Sequence, residues 1–165
     1  MNKTLIINIA FVVLILGTLI SIARPSAESL PALPEAQSGA LIVEDSNDYD
    51  FGSISMAAGE VTRAFKIKNT GTEAVTVNRI YTSCMCTRAT LVQGDSRFGP
   101  FGMPGHGAIT GIYRAVAPDE EVAVEVTFDP AAHGPAGVGL IERLVTIENA
   151  AGRPIELHFS ATVTP

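Results

Sequence analysis

Residues 121–128 read EVAVEVTF. In an extended chain Val122, Val124, Val126 and Phe128 share one side, while Glu121, Ala123, Glu125 and Thr127 take the other. The stretch PIELHFSATV (154–163) repeats the pattern, with Ile155, Leu157, Phe159, Ala161 and Val163 inward and Glu156, His158, Ser160 and Thr162 outward. VTRAFKIK (61–68) and AVTVNRI (74–80) alternate similarly, and LIERLVTIE (140–148) is rich in branched aliphatics. Turn-forming groups separate these runs at 58–60, 69–72, 117–120 and 150–154. Past the N-terminal apolar run, no segment keeps a helical period for three turns. Six to eight short strands with one wet face each predict an all-β, antiparallel, immunoglobulin-like sandwich. With no tryptophan in the chain, Phe51, Phe65, Phe128 and Phe159 are the expected large core residues.

The N-terminus is of a different kind. Leu5 to Ala23 carries no charge, and its only polar side chains are Asn8, Thr18 and Ser21. Nineteen such residues reach the length of a spanning helix and exceed the usual apolar core of a signal peptide. Residues 1–23 therefore read as an uncleaved signal anchor, a single transmembrane helix, although Ser21-Ile22-Ala23 resembles a cleavage site. Lys3 ahead of the run biases the N-terminus to the cytoplasm and the remainder to the outside. Residues 24–40, RPSAESLPALPEAQSGA, form a Pro/Ser/Ala-rich tether, since such a composition buries too little surface to offset ordering entropy. Residues 41–165 suit one domain. The expected location is the cell membrane, single-pass, with the domain extracytoplasmic.

All 17 acidic residues and every basic residue except Lys3 follow the anchor. This acidic balance, without a basic cluster, argues against nucleic acid or an anionic lipid surface as partner. No nucleophile–His–acid order, phosphate loop or His-Glu-x-x-His helix is present, so an enzyme is not expected. Asp48, Asp50, Asp119, Glu120 and Asp129 read as turn formers and a solvated face.

YDFGSI (49–54), AGEVTRAFKIKNTGTEAVTVNRIYTSCMCT (58–87) and the later FDP (128–130) and RLVTIEN (143–149) together resemble the bacterial immunoglobulin-like family DUF1573, a relative of the ASH/MSP/hydin sandwiches. The likeness covers residues 47–92 well and resumes more loosely from about 117. The family's usual Cys-Gly-Cys-Thr has Met85 in place of its glycine here, and residues 93–116 are longer than the usual connection. The resemblance implies an exported or envelope β-sandwich and supplies no catalytic residues.

Cys84 and Cys86 are the chain's only cysteines. If they extended the strand at 74–80, both would point to one side with Cα atoms about 6.5–7 Å apart, near the upper limit for a disulfide. Two thiolates so placed can converge on a soft cation. The Gly/Pro-rich stretch FGPFGMPGHG (98–107), read as an irregular loop, adds Met103 and His106, and the turn FDPAAHGPAGVG (128–139) adds His133. Thiolate, thioether and imidazole together suit copper, as Cu(I). Zinc would leave the methionines idle and favours cysteines two to four residues apart. Three readings stay open: a soft-metal site of Cys84, Cys86, Met103, His106 and His133; a redox-active or local disulfide; and two small buried residues. The soft-metal reading makes the protein a tethered binding module. The alternative is a structural or protein-interaction sandwich, with a thiol-redox protein as a third option.

Overall fold

The structure, a computed structural model, describes residues 40–106 and 111–165. The expected anchor and nearly all of the tether lie outside the described residues; among those described, no helix is long and apolar enough to cross a membrane. Ten strands are described: β1 (Leu41–Val43), β2 (Asp48–Ser55), β3 (Val61–Asn69), β4 (Val75–Thr82), β5 (Thr87–Gln93), β6 (Ser96–Phe101), β7 (Arg114–Val116), β8 (Glu121–Phe128), β9 (Gly139–Asn149) and β10 (Ile155–Thr164). They form two five-stranded sheets, in the orders β1-β3-β8-β5-β6 and β2-β10-β9-β4-β7. The expected all-β sandwich is present, with more strands than predicted because short edge strands carry too few residues to show a period.

The alternation read from EVAVEVTF holds in β8, where Val122, Val124, Val126 and Phe128 are all buried. In β10, Leu157, Phe159, Ala161 and Val163 are buried, and Ile155 packs at the margin. Phe65, Phe128 and Phe159 lie in the core, while Phe51 is partly buried against it, edge-on to Phe159 with ring centroids 5.5 Å apart. Burying a side chain of this size contributes roughly 1.5–3 kcal/mol.

Three local departures from regular strands matter. In β4 the register against β9 shifts between Val77 and Arg79, so the buried face passes from Val77 to Ile80 and leaves Arg79 outside. A strict period of two would have buried Arg79. In β2 the pairing passes from Asp50↔Ser160 to Ser53↔Thr162, so Phe51 and Gly52 oppose the single residue Ala161. Gly52 takes φ +71° at this bulge, and its N–H donates to Asp50 Oδ1 at 2.9 Å. The Asp-Phe-Gly signature is thus a bulge that needs glycine. The third departure is β6, whose last four residues, FGPF (98–101), fall in the stretch expected to be an irregular loop and form strand instead, with a cis Gly99–Pro100 bond.

The sheets are not wholly antiparallel, which corrects the sequence expectation: β2 runs parallel to β10. Most of the domain separates the two strands in sequence, long enough to bring the chain back in the same direction. Asn69, fully buried at the end of β3, donates to the carbonyls of Glu73 at 2.8 Å and Val116 at 2.9 Å and accepts from Gly71 N–H at 3.0 Å. This amide closes the Asn-Thr-Gly turn and ties it to β7 of the other sheet.

Candidate functional site

Residues 83–86 form the turn that carries the chain from β4 in one sheet to β5 in the other. Both strands end there because the chain must cross the sandwich, and the cysteines sit on that crossing. The extended geometry expected for them is therefore not observed. Their Cα atoms are 5.3 Å apart, and Cys84 and Cys86 are joined by a disulfide.

Several hydrogen bonds hold the turn. Thr82, 1% exposed, shares its hydroxyl proton between the carbonyls of Cys84 at 2.9 Å and Thr87 at 3.1 Å. Thr87 N–H donates to the Cys84 carbonyl at 3.2 Å. Ser83 is clipped to β9: its N–H donates to the Leu144 carbonyl and its Oγ accepts from Leu144 N–H, both at 2.9 Å. Met85 at the tip of the turn is 54% exposed, away from the core.

His133 comes from the β8–β9 connection. Thr87 pairs with Phe128, so the chain leaving β8 starts beside Cys86, and Asp129 N–H donates to the Cys86 carbonyl at 2.9 Å. Asp129 Oδ1 then accepts from Ala131 N–H at 2.9 Å, and Gly134 N–H donates to the Ala131 carbonyl at 2.9 Å. A short 3-10 turn follows at Gly134–Gly137. A Cβ at Gly137 would stand 3.2 Å from His133 Cβ, so a small residue there lets the turn fold back on the histidine. His133 Nε2 lies 3.2 Å from Cys84 Sγ.

The sulfurs differ in setting. Cys84 is partly buried against the core beside exposed His133, and its Sγ accepts from Cys86 N–H at 3.3 Å. Cys86 is 2% exposed, and its Sγ accepts from Arg143 Nε at 3.3 Å. Arg143 stands on β9, paired with Phe159 of β10, and Nη1 donates to the Glu142 carbonyl at 2.8 Å. Beside His133 a surface groove of about 430 Å³ runs over Val138, Leu140 and Arg143, with Leu140 73% exposed.

Of the expected donors, Cys84, Cys86 and His133 come together, one atom of each lying within 4.8 Å of the others. His106 lies outside this group. It is exposed, in the turn that its N–H closes onto the Met103 carbonyl at 3.2 Å. Met103 is half-buried, and its segment touches the site through the preceding residue's backbone, the Gly102 carbonyl accepting from Thr82 N–H at 3.2 Å. Met103, His106 and His133 all fall in irregular segments, as expected. Sequence reasoning missed Thr82 and Arg143. The one available signal for Arg143 was the charged Glu142-Arg143 pair inside an otherwise apolar run.

A protein of unknown function from Porphyromonas gingivalis W83 is similar in structure, with a TM-score of 0.56 at 17% identity. The likeness covers 81% of this chain and 51% of that one, so this chain spans about half the length of that protein. The ASH/PapD-like domain 7 of human CEP192 aligns over 85% of this chain and 95% of its own, with a TM-score of 0.47 and 12% identity. No curated protein matches the chain. Residues 42–96, from β1 to the start of β6 and including the cysteine turn, match the family described as "Protein of unknown function (DUF1573)", in agreement with the resemblance carried by the Asp-Phe-Gly, Asn-Thr-Gly and Cys-x-Cys-Thr segments.

Proposed function

We propose that this chain is a membrane-tethered, extracytoplasmic binding module without enzymatic activity, which in its dithiol form holds one soft metal ion, Cu(I), for handling at the cell surface. The observation that carries this reading is the convergence of Cys84, Cys86 and His133 donor atoms within 4.8 Å. Two thiolates and one imidazole are three donors, one short of the closed set of four in a structural zinc site, and the soft sulfur pair suits Cu(I). The thiolate is the ligand form, so the reading applies to the reduced protein and not to the disulfide. Cys84 and Cys86 supply the sulfurs, and His133, exposed beside them, supplies the nitrogen. Met103 and His106 are left out of the ligand set.

The test is a titration of the full-length chain, reduced and kept in mild detergent, with Cu(I) against a competing chelator. One tight equivalent that raises the thermal midpoint, and that disappears in Cys84→Ser/Cys86→Ser, supports the assignment, because a ligand confined to the native state must stabilise it. No uptake by a protein shown to carry two free thiols removes it.

A second reading has its own observation. Val138 and Leu140 are exposed along the groove beside His133, and an apolar rim of this kind suits a protein partner in the envelope. The disulfide would then be structural. Loss of binding to such a partner on Leu140→Glu, with Cu(I) uptake absent, would favour it.

A further inference from the structure

Two N–H donors at the cysteine turn are aimed at sulfur: Cys86 N–H at Cys84 Sγ and Arg143 Nε at Cys86 Sγ, each at 3.3 Å. Sulfur in a disulfide is a weak acceptor, whereas an ionised acceptor makes hydrogen bonds roughly twice as strong as a neutral one. A guanidinium directed at a nearly buried sulfur suits the bond's broken state better than its closed state. Nor does a static staple account for the linkage well. It spans a single intervening residue, Met85, and the stabilisation from cross-linking is smaller the shorter the loop it closes.

We propose that Cys84–Cys86 is an exchangeable disulfide that a dithiol reductant opens by attack at Cys84. Relative exposure sets the direction, because Cys84 is only partly buried whereas Cys86 is 2% exposed. A thiolate of the reductant bonds to Cys84 Sγ; the Cys84–Cys86 bond breaks, and its electron pair leaves on Cys86 Sγ. That sulfur departs as a thiolate facing the Arg143 guanidinium. The reductant's second thiolate then attacks its own sulfur in the mixed disulfide, and the electron pair of that bond passes to Cys84 Sγ. The reductant ends as a disulfide, the chain has gained two electrons, and the reductant's two protons pass to solvent or to the two sulfurs. Arg143 acts here as a positioning residue for the leaving sulfur. The exchange stands by itself; it rests on the Cu(I) reading only for its consequence, that reduction opens the metal site and oxidation closes it.

The experiment incubates the full-length chain in mild detergent with dithiothreitol buffers of graded redox ratio, quenches with acid, and counts alkylated cysteines by mass. In the native protein the count is expected to pass from zero to two in one step. Thiols alkylated at every ratio, or a disulfide that opens only in denaturant, would overturn the proposal. Direction is read from single variants challenged with glutathione disulfide: Cys86→Ser, which leaves Cys84, should form the mixed disulfide about tenfold faster than Cys84→Ser, in line with access to the attacked sulfur. Equal or reversed rates overturn the assignment of Cys84. Arg143→Gln should slow reduction by about tenfold, with Arg143→Lys restoring most of the rate, since a cation opposite the leaving thiolate is what counts. A Gln variant as fast as wild type removes Arg143 from the step. Wild-type alkylation needs no variant to fold, and it separates the two readings. Two free thiols without Cu(I) uptake leave exchange standing and remove the metal; cysteines that never pair but bind Cu(I) do the reverse.

Discussion

Asp129 N–H donates to the carbonyl of Cys86 at 2.9 Å, which fixes the root of the β8–β9 loop to the cysteine turn and brings His133 within reach of Cys84. The Asp129 side chain shapes the next step by accepting from Ala131 N–H at 2.9 Å. Asp129→Ala keeps the first bond and removes the second. The expected stability loss is about 1 kcal/mol, that of one ordinary hydrogen bond. Cu(I) affinity of the reduced protein should weaken severalfold as the histidine loop loosens, and Asp129→Asn should restore both. A stability loss with unchanged affinity would mean that Asp129 does not position His133.

The assignment of one histidine and not the other is directly testable. His133→Ala is expected to lower Cu(I) affinity of the reduced protein by about tenfold, or roughly 1.4 kcal/mol. The fold should be unaffected, since His133 is exposed. His106→Ala and Met103→Leu should leave affinity unchanged. A titration in which His106→Ala loses as much as His133→Ala would restore the wider ligand set read from the sequence.

The two loop histidines, His106 and His133, show where sequence reasoning stopped. The inward residues of β8 and β10 were legible because burial on one face imposes a period of two on nearly every position. The bulge at Asn78, which moves Ile80 into the core in place of Arg79, left no such mark. Residue types alone also could not choose among histidines in Gly/Pro-rich loops. The choice depends on sheet order: β8 neighbours β5 and pairs Phe128 with Thr87, so the loop after β8 begins at Cys86. β6 lies on the far side of β5, and the chain beyond it meets Thr82 through Gly102 instead. Arg143 reaches Cys86 across 57 residues of sequence, and Thr82 reaches Thr87 across the turn at 83–86, neither of which an alternation pattern displays.

Acid sensitivity has an identifiable contributor outside the site. Glu125 on β8 takes both Arg97 guanidinium nitrogens from β6, across the intervening strand β5. The hydrogen bond from Arg97 holds the Glu125 carboxyl below its ordinary range, against desolvation that pushes it up. A carboxylate with a depressed folded pKa contributes stability that is present above its unfolded value, about 4.3, and is lost as pH falls through the folded value. Glu125→Gln should therefore lower the thermal midpoint at neutral pH, and the gap from wild type should close as pH drops below about 4. Raising salt should shrink the gap as well, because the pair is partly exposed. A gap independent of both pH and salt would mean that the substitution acts through packing.

Thr82 tests whether the crossing turn is built by the fold or by the disulfide. Its hydroxyl is buried and shared between two carbonyls, those of Cys84 and Thr87, so it fastens the backbone on either side of the cysteines without touching sulfur. Thr82→Val keeps the shape and removes the hydroxyl. Each carbonyl has a further route to satisfaction: Cys84 still accepts from Thr87 N–H, and Thr87 lies in the β5–β8 ladder. The expected cost is therefore about 1–2 kcal/mol, below that of a fully orphaned pair. It should appear as a lower urea midpoint with an unchanged slope, since the surface exposed on unfolding stays the same. If hydrogen bonding builds the turn, the cost should be as large in the reduced protein as in the oxidised one. A cost confined to the reduced protein would instead assign the turn to the disulfide, and the dithiol form would then lack the preformed geometry on which Cu(I) capture by Cys84, Cys86 and His133 depends.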